Sequence, residues 1–319
     1  MNRRDALLAA LVALLWGVNF VAIDLGMGDM PPLLFLAVRF AAVVLIAIWF
    51  VPRPRVSWTK LVGVGAFMSL GQFGFLYASM ALGMPPGLAS LVLQAQVVLT
   101  ILIAAGVLRE RPTPAQIAGV VLGSVGLAVV GVGRGGHVPL IALLLCLAGA
   151  LSWAIGNVIA RAAKAPGGLG MTVWSGLVVP VPALALALLI DGPDRVWLGI
   201  AHFGWAAALS TVYTVIGATL VGYGIYNGLL ARNPASAVAP WILLVPVVGI
   251  ASAWLVRGEV PTPGELAGGA LLVAGVIVAT GVIRVRRPGT FRIARARSAS
   301  EGGEPGVTPD EPVRRDARA

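Results

Sequence analysis

The residues in this sequence that could do chemistry are amides, aromatic side chains and one arginine, and they stand inside long apolar runs. Gln72, Tyr77, Gln94, Gln96, Asn157, Tyr223, Tyr226 and Asn227 each interrupt such a run. Polar groups in hydrocarbon are costly unless they are paired or turned to an aqueous cavity. Together they describe the wet lining of a solute path, one that binds through hydrogen bonds and ring faces and makes no bonds. For each of them the alternative role is a hydrogen bond between neighbouring helices. Gln94 and Gln96 are two residues apart, about 200° around a helix, so they are not expected to face one cavity squarely. One should face solute and the other a neighbouring helix.

Arg39 is the only basic residue inside a run, and at a helix centre it would cost roughly 2.5–3.5 kcal/mol. Two readings stay open: it snorkels outward or pairs with Asp24 or Asp29, or it binds the carboxylate of a substrate. Asn19 follows Trp16, and Asn157 follows Trp153, on the first and sixth apolar runs. Both tryptophans lie well inside their runs, which favours a cavity lining over an interfacial anchor. Trp241, in the ninth run, completes the candidate substrate-binding set.

Other chemistry finds little support. Outside charged loops, Asp24 and Glu265 are the only carboxylates near the ends of the runs, which leaves an enzyme without clustered acid and base groups. Gly131-Val-Gly133-Arg-Gly135-Gly136 matches a dinucleotide pattern but ends an apolar helix with no βαβ unit around it. No phosphate-binding P-loop occurs, so ATP is not expected to drive the protein. His137 and His202 are far apart and lack further ligands, so neither a metal nor any other cofactor is expected. The single cysteine, Cys146, rules out an intrachain disulfide and reads as a packing residue. No ionisable carboxylate or histidine falls in the middle of a run, so either Asp24 titrates in proton coupling or transport runs down the gradient of the substrate.

The elements that must position these residues follow from composition. Of 319 residues, 58% are hydrophobic and 11% charged, against roughly 45–50% and roughly 25% in soluble chains. With roughly 20 apolar residues needed per crossing, ten membrane helices are expected near 6–25, 33–51, 60–82, 88–108, 115–133, 138–160, 170–190, 205–230, 236–256 and 264–284. The first is too long for the apolar core of a signal peptide and reads as a retained helix. Turn and charge chemistry separates the runs, as in Met84-Pro-Pro-Gly87 and Pro52-Arg-Pro-Arg55. The net charge of +10 is explained by topology and not by nucleic acid: 19 Lys and Arg fall on the side that holds both termini and three on the other. Both termini are therefore expected in the cytoplasm. The tail, residues 287–319, is too polar to fold alone and is expected to be disordered, with the cluster of Arg284, Arg286, Arg287 and Arg292 resting on anionic lipid.

The sequence also repeats itself. At an offset of 149, Glu110-Arg-Pro-Thr-Pro-Ala-Gln-Ile-Ala-Gly119 aligns with Glu259-Val-Pro-Thr-Pro-Gly-Glu-Leu-Ala-Gly268, and nine of 20 residues agree over 110–129 and 259–278. The same offset pairs Tyr77 with Tyr226 and Pro85 with Pro234, whereas Trp16 and Trp153 match at 137. The expected fold is an all-α integral membrane protein of ten transmembrane helices, built as two inverted five-helix repeats over residues 1–135 and 136–286. An odd number of crossings per half forces the inversion. Pro240 and Pro246 should kink the ninth run. Small-xxx-small patterns at Gly119 and Gly123, Gly224 and Gly228, and Gly264 and Gly268 should permit close helix contact.

Several segments together resemble a known superfamily: Trp16-Gly-Val-Asn-Phe-Val-Ala-Ile23, Met30-Pro-Pro-Leu33, Arg39-Phe40, Gly83-Met-Pro-Pro-Gly-Leu-Ala-Ser-Leu-Val-Leu-Gln-Ala-Gln96, Ser152-Trp-Ala-Ile-Gly-Asn157, Val221-Gly-Tyr-Gly-Ile-Tyr226 and Val238-Ala-Pro-Trp-Ile-Leu-Leu-Val-Pro-Val-Val-Gly249. They are similar to the drug/metabolite transporter superfamily, and within it most to the EamA branch of amino-acid metabolite exporters associated with cysteine and O-acetylserine. The resemblance implies a ten-helix, two-repeat exporter of a small-molecule substrate in the inner (plasma) membrane. Alternatives are an exporter of another substrate range and, more distantly, a membrane-embedded lipid-modifying enzyme.

Overall fold

A computed structural model describes residues 1–28, 30–133, 138–164, 168–233 and 235–280. Asp29, the loop at 134–137 with His137, Pro234 and the basic tail at 287–319 lie outside the described residues, as does the side chain of Pro240. Among the described residues the secondary structure is helical throughout. Seven helices are long and apolar enough to cross a bilayer. In chain order, with the shorter helices between them, the elements are α1 (Arg3–Met27), α2 (Pro32–Ala47), α3 (Trp58–Ala81), α4 (Pro86–Val107), α5 (Pro114–Gly133) and α6 (Leu140–Ala162). There follow α7 (Leu169–Gly176), α8 (Pro180–Ile190), α9 (Pro193–Ala201), α10 (Trp205–Arg232), α11 (Ala235–Ile242), α12 (Leu244–Arg257) and α13 (Pro263–Thr280). The α7–α8 pair is bent by 44° and counts as an eighth crossing if the two are one span, while α2 and α12 are shorter apolar helices.

Local chemistry sets these boundaries. The Asn2 side chain accepts the Asp5 N–H (2.8 Å) to open α1. Gly28, at φ 45°, supplies the left-handed turn that ends it. Proline at the first helical positions of α2 and α4 needs no donor there. The repeated Thr-Pro motif forms a capping box at each copy. Thr113 N–H donates to Gln116 (2.8 Å) and Gln116 N–H returns to the Thr113 hydroxyl (3.3 Å). Thr262 and Glu265 do the same at 2.8 and 3.2 Å. The Thr262 hydroxyl also donates to the Gly133 carbonyl (2.9 Å). Losing a cap costs about 1 kcal/mol, so Thr113→Ala should lower thermal stability in detergent modestly and Thr262→Ala more. Equal effects of the two would show that the link to Gly133 contributes nothing.

Large apolar side chains face outward along the helices, with Leu189 81% and Leu255 79% exposed. Such a surface is at home only in hydrocarbon. Inside, α1 packs against α10 and α12, and α6 packs against α3 and α4. The closest helix pair is α5 with α13, where Gly119 and Gly126 face Gly275 and Gly268 backbone to backbone. Two of the three glycine patterns thus lie in this contact, each against other residues of the opposing helix: Gly119 against Gly275, and Gly264 and Gly268 against Gly133 and Gly126. The third, at Gly224 and Gly228, makes no close helix contact.

Regular helix gives way at two pairs of equivalent positions. A π-helical stretch interrupts α3 at Gly65–Gly71 and α10 at Tyr213–Val221. In each, a side chain from the helix packed against it takes a carbonyl: Ser152 of α6 donates to Phe67 O (2.7 Å), and Trp16 of α1 donates to Ala218 O (2.9 Å). The second pair is the turn at Leu93 and Gln94 within α4 and the turn at Leu243 between α11 and α12. Leu243 is explained by Pro246, which has no N–H to give the carbonyl of Ile242. The α4 turn tightens to three-residue bonds, with Gln94 N–H to Leu91 O and Gln96 N–H to Leu93 O.

Candidate functional site

The two pairs of interruptions border one central cavity of about 320 Å³. Trp16, Asn19, Arg39 and Gln72 line it from the first three helices. Gln94 and Gln96 reach it from α4, Trp153 and Asn157 from α6, and Tyr223 and Tyr226 from α10. Phe20, Met68, Phe73 and Ser90 complete much of the wall. Nothing in their types separated these four from packing residues in the sequence. A second cavity of about 220 Å³ shares Arg39, Met68, Phe73, Tyr223 and Tyr226 with the first and extends past Asn227 to Ala160 and Gly168.

Gln94 and Gln96 both face the central cavity, against the expectation from ideal helical spacing. The reason is the turn at Leu93 and Gln94, where three-residue bonds replace the 100° step between successive residues with one of about 120°. Gln96 also accepts from the Asn157 Nδ2 (3.0 Å), so one residue serves both the cavity and a helix contact. Two candidates stand apart from the central lining. Tyr77 is fully buried behind Arg39, and Trp241 packs with Ala9, Leu229 and Val238.

Arg39 neither snorkels nor pairs with Asp24. It is 2% exposed, and Asp24 lies instead against Arg257, whose Nε is 2.8 Å from the carboxylate. The Arg39 Nη1 donates to the Tyr77 hydroxyl (2.7 Å) and Nη2 donates to Thr219 Oγ1 (3.3 Å). The Thr219 hydroxyl proton is already given to Thr214 O (2.7 Å), which leaves its lone pairs for the guanidinium. Phe73 and Phe40 cover the cation, with their centroids 4.4 and 5.6 Å from Cζ. All these partners are neutral, and among the described residues Arg39 forms no ion pair. Among the described residues its Nε has no hydrogen-bond partner, and neither has the buried Oδ1 of Asn19, a residue of the same cavity. Buried polar atoms left open in this way await a ligand or water.

The aromatic wall is held just as firmly. With its N–H bound to Ala218 O, Trp16 sets its ring 4.9 Å from Tyr223 and 5.2 Å from Tyr226, centroid to centroid. Trp16→Phe keeps an aromatic ring but frees the π-segment carbonyl, so it should weaken transport by about tenfold or less. An initial-rate assay checks this, and a loss as large as that from removing Arg39 would contradict it.

Charge also marks both ends of the helices. Arg161, closing α6, meets Glu110 beyond α4 (2.8 Å), while Asp24 and Arg257 pair α1 with α12. Beside the second pair, Glu259 accepts the Gly87 N–H (3.3 Å), and burial pushes its carboxyl above the usual carboxylate range.

A buried cation, amides and ring faces around one small cavity can hold a small solute through hydrogen bonds and ring contacts. The model of the EamA-like transporter family matches this chain twice, over residues 4–132 and 140–281. The chain belongs to the EamA-like transporter family. This EamA-like transporter is 42% identical over 293 residues to a protein of Salmonella typhimurium (strain LT2) named "Probable amino-acid metabolite efflux pump", with 90% of this chain and 98% of that protein covered. A protein of the same name from Escherichia coli (strain K12) is 39% identical over the same shares. A solved structure with 22% sequence identity superposes at a TM-score of 0.61 over 91% of this chain and 100% of that one, a likeness of fold.

Proposed function

We propose that this EamA-like transporter exports small amino-acid metabolites, of the cysteine and O-acetylserine kind, by alternating access, with the substrate carboxylate held by Arg39. The observation that carries the reading is the buried guanidinium of Arg39 on the wall of the central cavity, with no ion pair and no partner for its Nε among the described residues. A buried charge without a partner is costly, and a carboxylate is the ligand that would offset it. The two relatives named as efflux pumps support the substrate class.

The transport cycle follows from symmetry. Taking α7 with α8 and α11 with α12 as single bent crossings and α2 as a short one, the chain makes ten crossings in two inverted halves. The recurrence of the π segments, helix breaks and capping boxes about 149 residues apart supports this reading. In this reading both termini are cytoplasmic, which the excess of Lys and Arg on their side supports, and the chain lies in the inner (plasma) membrane. The cavity path past Ala160 and Gly168 then faces the cytoplasm. Asp24 with Arg257, and Glu110 with Arg161, act as clamps at opposite ends.

In this reading Asp24 is a clamp and not a proton carrier. Asp24→Asn should slow export several-fold and leave its pH profile unchanged; a flattened profile would give Asp24 the coupling role. The function itself is tested by the accumulation of cysteine and O-acetylserine outside cells that overproduce the protein, compared with an empty vector. Raised export of either supports the proposal. No change, with the protein confirmed in the membrane, overturns this substrate class and directs the search to other amino acids and amphipathic drugs.

A further inference from the structure

We infer that the central cavity binds N-acylated amino acids, which are monoanions, at least as well as free amino acids, a proposal that rests on Arg39 holding the carboxylate. The argument is a balance of charge. Among the described residues that line the cavity there is one cation, Arg39, and no carboxylate. Asp24, the acid nearest Asn19 along α1, is already in charge contact with Arg257 (2.8 Å). A bound carboxylate would neutralise Arg39. The ammonium of a free amino acid would then bring a second positive charge into a site that offers only amides and ring faces against it, and buried charge without an opposite charge is disfavoured.

The buried hydrogen-bonding atoms are compatible with this. Among the described residues on this cavity, the buried atoms without a partner are one cationic donor, the Arg39 Nε, and one neutral acceptor, the Asn19 Oδ1. A carboxylate satisfies the first. A single N–H satisfies the second, and an acylated nitrogen carries a single N–H, whereas an ammonium has three to place. Of the other amide acceptors, the Gln96 Oε1 is already occupied by Asn157, while Gln72 and Gln94 remain for either ligand, so the balance of charge decides between the two. The acyl group has apolar wall to meet, with Phe20, Leu93, Ile242 and Val245 lining the same cavity. At about 320 Å³ the cavity lies toward the small end of ligand sites, which suits a short acyl chain.

Four probes that differ only at their poles test this on the purified full-length protein in detergent, by calorimetric titration near neutral pH. They are S-methylcysteine, N-acetyl-S-methylcysteine, S-methylcysteine methyl ester and the amine that lacks the carboxyl group. The expected order places the N-acetyl compound level with or tighter than the free amino acid, with the ester and the amine each weaker by tenfold or more. Asn19→Ala should weaken both carboxylate ligands. Binding of the free amino acid tenfold more tightly than its N-acetyl form, with the ester still weak, overturns this inference and leaves the Arg39 reading in place. An ester that binds as well as the acid, or no binding by any probe, overturns both.

Discussion

Arg39→Ala is expected to lower export by about 100-fold or more while the protein still enters the membrane at wild-type levels. Removing one partner of a buried, hydrogen-bonded charge pair costs roughly 2–5 kcal/mol, and each 1.4 kcal/mol is about a factor of ten. The substrate carboxylate loses that much when its guanidinium is gone. Stability should behave in the opposite way from an ordinary core arginine. The variant gives up bonds to Tyr77 and Thr219 but also removes a buried cation that forms no ion pair among the described residues, so little or no loss of thermal stability is expected. Rates in proteoliposomes and melting in detergent, measured on the same preparation, separate the two effects. A variant that fails to fold would make Arg39 a structural residue.

The second large effect is at the α5–α13 contact, where Gly126→Val and Gly268→Val should each abolish most of the folded protein. A Cβ on Gly126 would lie 2.5 Å from the Leu272 nitrogen and 2.7 Å from the Gly268 oxygen. On Gly268 it would lie 2.6 Å from the Gly126 oxygen and from the Val130 nitrogen. These neighbours are backbone atoms and cannot swing aside, so the helices must part. Overpacking costs about 1–3 kcal/mol where side chains can shift, and here it should exceed that range. Gly224→Val, with nothing within 4 Å of the added Cβ, is the control and should behave as wild type. The readout is the monodisperse fraction in size-exclusion chromatography, and equal yields from all three variants would refute the account of this contact.

Much of this was readable from hydropathy, because in a bilayer each helix satisfies its own backbone and leaves a long apolar run as its signature. The run at 6–25 is seen in α1, and the run at 205–230 in α10. What hydropathy cannot register is a change of helical type within a run. The π segments at Gly65–Gly71 and Tyr213–Val221 and the turn at Gln94 alter which faces later residues present. That is why Gln94 and Gln96 came together despite their spacing. The direction of Arg39 was equally hidden, since pairing, snorkelling and cavity lining differ only in the rotation of α2 against its neighbours. Tyr77 stood out as a polar group in hydrocarbon, yet it accepts from Arg39 and does not line the central cavity.

Counterflow of labelled O-acetylserine into proteoliposomes of the purified protein tests the central claim most directly, with unlabelled O-acetylserine or its carboxyl methyl ester as the competitor. A single cavity that reads the carboxylate through Arg39 predicts saturable uptake that the unlabelled acid displaces and the ester does not. Equal displacement by the ester, or uptake no faster than in protein-free liposomes, would contradict it.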